Sequence, residues 1–110
     1  GGSTIITSVF QTILNVYEFN MNVQDAVNAL RFHHQWLPDV IIIEKNSPDN
    51  TIDSLLREKN YNVIPLPYDN VSGMYPRSSI GVVDAIFIDD KGNVSGGADY
   101  RGDDFAATLK

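Results

Sequence analysis

The sequence contains no cysteine in 110 residues. That absence removes disulfides, thiol nucleophiles and cysteine-ligated zinc, and it does not choose a compartment, since many secreted proteins also lack the residue. Positive charge is scarce. Eight Lys and Arg stand against fourteen Asp and Glu, a formal charge of −6, and no basic run is present to neutralise a phosphate backbone or anionic lipid. Nucleic acid and membrane surfaces are therefore not expected partners. Long apolar runs are missing too: "VIII" at Val40 to Ile43 is far too short to cross a bilayer, and no basic stretch followed by an apolar one has the pattern of a targeting signal. Repeats, low-complexity tracts and linkers are absent. With 43% hydrophobic residues, positions 1–110 read as a single unit with enough apolar material for one core.

What is present reads as alternating helices and short strands. In "STIITSVFQTILNVYEFN", Ile6, Phe10, Ile13 and Tyr17 form one stripe, widened by Val9, Leu14 and Val16, behind Ser3 as N-cap. This predicts a long helix buried on a broad face. "NVQDAVNAL" predicts a second, shorter helix capped by Asn22, with Val23, Ala26, Val27 and Leu30 at helical spacing. "VIII" before Glu44 is β-branched and bounded by polar residues, which favours a buried strand. "SPDNTIDSLLREKN" has Ser47 as cap, Pro48 at the first helical position, acids early, bases late and Asn60 as stop. "YNVIPLP" reads as an edge strand ended by prolines, and "NVSGMYPRSS" as an exposed loop. A strand from Val82 to Ile88, a turn at "DDKGN" and a strand from about Val94 form a hairpin; beyond Arg101 the tail is acidic, then weakly helical.

Several features invite a chemical reading. "RFHHQWLPD", Arg31 to Asp39, holds adjacent histidines, but in an extended segment the side chains of His33 and His34 point to opposite faces, a poor chelate. A hydrogen-bonded structural role beside Phe32 and Trp36 is favoured. Asp89 and Asp90 lack the rest of a twelve-residue calcium loop, and a hairpin turn explains them. The "RGD" at Arg101 to Asp103 is a tripeptide that recurs by chance, and the "NVS" sequons at Asn70 and Asn93 matter only in a secreted eukaryotic protein. "GGS" directly before a helix has a physical use: glycines let N–H groups approach a ligand, and the helix start adds a positive dipole end suited to an oxyanion. The same tripeptide is common in engineered linkers, and taken alone it favours that origin.

Taken together, "GGSTIITSVFQTILNVYEFNMNVQDAVNALRFHHQWLPD" resembles the γ-glutamyltransferase family, also called γ-glutamyltranspeptidase or glutathione hydrolase. "SPDNTIDSLLREKNYNV", "IGVVDAIFID" and "GGADYRG" continue the resemblance in order, the last against a family Gly-Ala-Asp-Pro-Arg motif. Thr4 stands where the family commonly has Arg, and Leu30 and Tyr100 stand where it has Pro; "PYDNVSGMYPRSS" is longer than the usual connection. The resemblance implies an α+β fold, an αββα sandwich of the N-terminal-nucleophile hydrolase type. It makes this chain a fragment, the C-terminal part of the small subunit.

In such an enzyme a threonine opening the small subunit attacks the γ-glutamyl carbonyl of an amide such as glutathione, and water or an amino acid or peptide takes the acyl group. By motif match, Gly1 and Gly2 supply the oxyanion-hole N–H groups. The nucleophile lies upstream in the family; Thr4 and Thr7 fall inside the predicted helix and cannot replace it. The chain alone is thus expected to be inactive. No cofactor or metal is implied. Expected partners are the remainder of the small subunit, the large subunit and a γ-glutamyl substrate, with self-association of the fragment through uncovered faces. The implied compartment is periplasmic or extracellular. The alternatives are a non-catalytic binding or assembly domain of the same fold, a related acylase, or a poly-γ-glutamate transpeptidase.

Overall fold

The computed structural model describes residues 2–44, 51–66 and 79–107. Helix α1 spans Thr4–Tyr17 and α2 spans Val23–Asn28; strands β1 (Phe32–His33) and β2 (Ile41–Glu44) come next, then α3 (Thr51–Glu58), β3 (Val63–Leu66), β4 (Ala85–Ile88) and β5 (Val94–Gly97). The chain is therefore α+β. β2 is the centre of a three-stranded sheet, antiparallel to β1 with Phe32 opposite Ile43, and parallel to β3 with Ile42 opposite Ile64. The parallel pair needs a crossover, which α3 supplies. β4 and β5 form a separate antiparallel hairpin.

Local chemistry explains the element ends. Asn22 caps α2 by accepting from the Asp25 N–H at 2.8 Å. Asn60, at φ 65°, ends α3 in the left-handed region that asparagine tolerates. In the hairpin turn Asp89 accepts from the N–H groups of Lys91 and Asn93 and from the Asn93 side chain, which explains "DDKGN" without a cation. These donors hold the Asp89 carboxyl below its ordinary value. Ser47, Pro48, the loop 71–78 and the Asn70 sequon lie outside the described residues.

Four expectations are corrected, three of them local. β4 begins at Ala85 and not at Val82, because the Val83 N–H and the Asp84 carboxylate bond to Asp99 instead of a neighbouring strand. The tail from Asp104 to Ala107 is not helical. Ser3 precedes α1 but its side chain makes no capping bond.

The orientation of α1 is the largest correction. Its apolar stripe faces outward, with Ile6 79% and Phe10 57% exposed, while Thr4, Ser8, Gln11 and Thr12 are buried. Each inward polar group is satisfied. Gln11 acts as a strand mimic, donating to the Phe32 carbonyl at 2.7 Å and accepting from the Phe32 N–H at 3.1 Å. Thr12 donates to the Ser8 carbonyl at 3.0 Å, and Ser8 donates to the Ile80 carbonyl at 2.9 Å. On α2, Gln24 repeats the device with both backbone groups of Ala98, while Tyr17 packs edge-on against Phe87 of the hairpin, 6.0 Å between rings. Gly97 allows α2 to lie on β5: a Cβ there would fall 2.8 Å from the Val23 carbonyl oxygen. The apolar core is small, built on Ile42, Leu66 and Ile80 with Val40 against them.

Candidate functional site

Four ionised side chains dominate the interior. Arg31, Glu44, Asp99 and Arg101 have side chains between 0 and 4% exposed. The Arg31 guanidinium pairs with Asp99 at 2.8 Å; Arg101 bridges the two acids, 3.0 Å from Asp99 and 2.6 Å from Glu44. Arg101 grips Glu44 with two parallel bonds, its Nε donating to Oε1 at 2.9 Å and its Nη2 to Oε2. Two positive charges thus meet two negative ones.

Every carboxylate oxygen in this clasp accepts twice. Glu44 Oε1 also takes the Ile80 N–H and Oε2 the Arg31 N–H; Asp99 Oδ1 also takes the Arg101 N–H and Oδ2 the Val83 N–H. The donors are equally engaged. Arg101 uses its two remaining N–H groups on the carbonyls of Val27 and Ala29, so all five donate. Arg31 gives to Val27, Ile80 and Gly81. The clasp thereby holds the end of α2, the start of β1, the end of β2, the 80–83 segment and the 99–101 turn in one frame. Tyr100 lies against it, its ring centre 4.5 Å from the Arg101 guanidinium carbon. Burial pushes the Asp99 carboxyl up, but the Arg101 and Val83 N–H groups and the two guanidinium groups outweigh that and hold it below its ordinary value. Burial likewise opposes the charge of Arg101, and Glu44 with Asp99 more than restore it.

"RFHHQWLPD" can now be placed residue by residue. Arg31 belongs to the clasp, and the histidines do point apart: His33 is buried, His34 exposed beside Asp39 at 3.0 Å. His33 sits between the Thr7 hydroxyl at 2.7 Å and Gln35 Oε1 at 3.1 Å. Since the Gln35 NH2 group donates to the Leu37 carbonyl, its oxygen faces the ring and fixes Nε2 as a protonated nitrogen. This is a structural histidine. Among the described residues no cluster of three His, Cys, Asp or Glu side chains could hold a metal ion. Arg101 of the "RGD" tripeptide is buried in the clasp, which leaves no presentable adhesion loop.

Gly2 is exposed at φ 60° directly before α1, and its carbonyl accepts from the Ile5 N–H at 3.3 Å. Gly1 lies outside the described residues. The first turn of α1 carries no acid, so no side chain of that turn offsets the positive end of its dipole. Behind it, Ser8 joins α1 to Ile80, whose carbonyl also accepts from Arg31. The clasp therefore backs the segment against which the start of α1 rests. A cavity of about 640 Å³ lies elsewhere, between the hairpin and residues 104–107. Sequence reasoning singled out the glycines and missed the clasp, although Arg31, Asp99 and Arg101 lie in "RFHHQWLPD" and "GGADYRG", motifs recognised but not paired.

The family model of γ-glutamyltranspeptidase matches residues 1–109. The chain belongs to the γ-glutamyltranspeptidase family. It is 36% identical over 108 residues to the glutathione hydrolase proenzyme of Escherichia coli, covering 97% of this chain and 17% of that protein. Among solved structures, a γ-glutamyltranspeptidase from Pseudomonas nitroreducens complexed with L-DON superposes on all of this chain and 52% of its own, at TM-score 0.78 and 30% identity. A Helicobacter pylori γ-glutamyltranspeptidase mutant gives TM-score 0.73 and 36% identity over 93% of this chain and 50% of its own. The chain thus spans about a sixth of the E. coli proenzyme and half of the solved chains. The Bacillus anthracis transpeptidase CapD, at 20% identity and TM-score 0.71, shares the fold alone.

Two predictions come from the clasp. Arg31→Met leaves Asp99 buried with one cation fewer and should cost about 3–5 kcal/mol in denaturant unfolding, as breaking a buried pair does. Because the folded Asp99 carboxyl titrates below its unfolded value, its contribution is complete above about pH 4 and is lost as pH falls through the lower folded value. Thermal unfolding followed from pH 7 downward should show that acid loss, and Asp99→Asn should show a smaller slope below about pH 4 with lower stability at pH 7.

Proposed function

We propose that this chain is the C-terminal part of a γ-glutamyltransferase small subunit, a single unit of an N-terminal-nucleophile hydrolase built as an αββα sandwich. The observation that carries this reading is the family match over residues 1–109, which takes in the glycine pair ahead of α1. In the complete protein the rest of the small subunit and the large subunit of the same precursor surround it. The substrates are γ-glutamyl amides such as glutathione, and the compartment is periplasmic or extracellular.

The chemistry is acyl transfer. A threonine at the start of the small subunit adds its hydroxyl oxygen to the γ-glutamyl carbonyl, and its own α-amino group takes the proton. The carbonyl oxygen becomes an oxyanion, stabilised by the N–H groups of Gly1 and Gly2 at the positive end of α1. Collapse breaks the amide bond, the leaving amine takes the proton, and an acyl-enzyme remains for water or an acceptor amine. Removing one such donor typically costs about 3–4 kcal/mol of barrier. No metal or organic cofactor takes part.

The outward apolar face of α1 fits this reading, since in the complete protein it would lie against polypeptide that this chain does not supply.

Two outcomes are expected. The purified 110-residue polypeptide should release no p-nitroaniline from γ-glutamyl-p-nitroanilide, while the full-length protein, cleaved before a threonine, should do so; activity in the fragment, or an uncleaved inactive full-length product, refutes the reading. In light scattering at tens of micromolar the polypeptide alone should be a dimer or larger, and Phe10→Ser should shift it toward monomer. A sharp monomer from the unmodified chain would contradict the role given to that face.

A further inference from the structure

We infer that Gly81, acting through Ser8, is a positioning residue for Gly2 ahead of α1; this rests on the oxyanion role proposed above. Gly81 lies at φ 70°, in the left-handed region. A Cβ built there would fall 2.8 Å from Ser8 Oγ, 3.4 Å from Ser8 Cβ and 3.9 Å from Thr4 Oγ1. The 80–81 backbone therefore lies directly on the first two turns of α1, and no larger residue fits between them.

The two surfaces are not held equally firmly. Ser8 is 1% exposed; its hydroxyl donates to the Ile80 carbonyl, with the Thr4 carbonyl 2.8 Å away. On the other side the carbonyls of Ile80 and Gly81 accept from Arg31 at 3.1 and 3.0 Å, and the Ile80 N–H is held by Glu44 at 2.7 Å. A side chain at residue 81 would therefore push α1, the one neighbour not pinned by the ionic clasp. Thr4 is two residues from Gly2, and the Gly2 carbonyl is bonded into the first turn through Ile5. Displacing the helix start carries Gly2 with it.

An oxyanion hole is sensitive to such a shift, because its donors act on the oxygen of the tetrahedral intermediate more than on the ground-state carbonyl. Misplacement of the order of 1 Å can cost about a hundredfold in rate. The loss should fall on kcat and leave substrate binding, carried elsewhere, nearly intact.

The test uses the full-length protein and γ-glutamyl-p-nitroanilide. Gly81→Ala should lower kcat by roughly ten- to a hundredfold with KM within about twofold. Adding Ser8→Ala to it removes the Oγ that the new methyl meets, and should recover part of the lost kcat, the remainder reflecting the left-handed φ that alanine disfavours. Should Gly81→Ala fail to fold or to be cleaved, Ser8→Thr crowds the same contact from the helix side with the Gly81 backbone unaltered, and the same kcat loss is expected. Unchanged kcat in Gly81→Ala or in Ser8→Thr, a loss confined to KM, or no recovery in the double variant overturns the inference. An inactive but correctly folded wild type would instead overturn the transferase reading, and this inference with it.

Discussion

The structure depends on placing two arginines and two carboxylates where there is almost no water. Desolvating four charges is costly, and the cost is offset only because Arg31, Glu44, Asp99 and Arg101 are neutral as a set and every carboxylate oxygen receives two donors. An apolar replacement could stabilise the molecule as well. What an apolar plug could not do is choose which backbone groups meet there. The N–H groups of Ile80, Val83 and Arg31 and the carbonyls of Val27, Ala29 and Ile80 are each bonded to a side chain of the clasp. With an apolar core resting on Ile42, Leu66 and Ile80, direction comes from the ionic frame and cohesion from a modest hydrophobic contribution.

The two faces of helix α1 differ in kind. The inner face is polar and spends its hydrogen bonds on β1, on Ile80 and on its own carbonyls, so the helix is fixed by directional bonds rather than by apolar burial. The outer face carries the hydrophobic stripe. Under the proposed reading, that stripe would lie against the rest of the enzyme.

Local elements were legible because their causes are local. Asn22 as a cap, Asn60 as a stop, the turn at Asp89 and the buried strand at Ile41–Glu44 each arise from a few neighbouring residues. The opposed histidines came from strand geometry. The direction of α1 did not, because periodicity shows that Ile6, Phe10, Ile13 and Tyr17 share a face without showing which polypeptide covers it. The clasp was hidden for a different reason. Its members are separated by up to 70 positions, and a lone Glu at a strand end or an Arg in "YRGDD" looks like surface until the fold pairs it. The role proposed for the glycines before α1 rests on family resemblance, since "GGS" alone has a duller explanation.

Why should so much buried charge sit behind a helix whose own inner face is held by single hydrogen bonds? A donor that stabilises a developing oxyanion is useful only if it does not reorganise when charge appears, so the element bearing it must be anchored to something that cannot relax. An apolar wall yields by rotamer changes spread over many small contacts. A segment held at Ile80 by Glu44 and Arg31 together cannot move without leaving a buried charge short of a partner, which costs several kcal/mol at once. Resting the second turn of α1 on that segment, through Ser8 and with no side chain at Gly81, transfers this stiffness to the helix start. In the proposed enzyme, the ionic frame would then serve catalysis at a distance, by keeping still the backbone that meets the substrate.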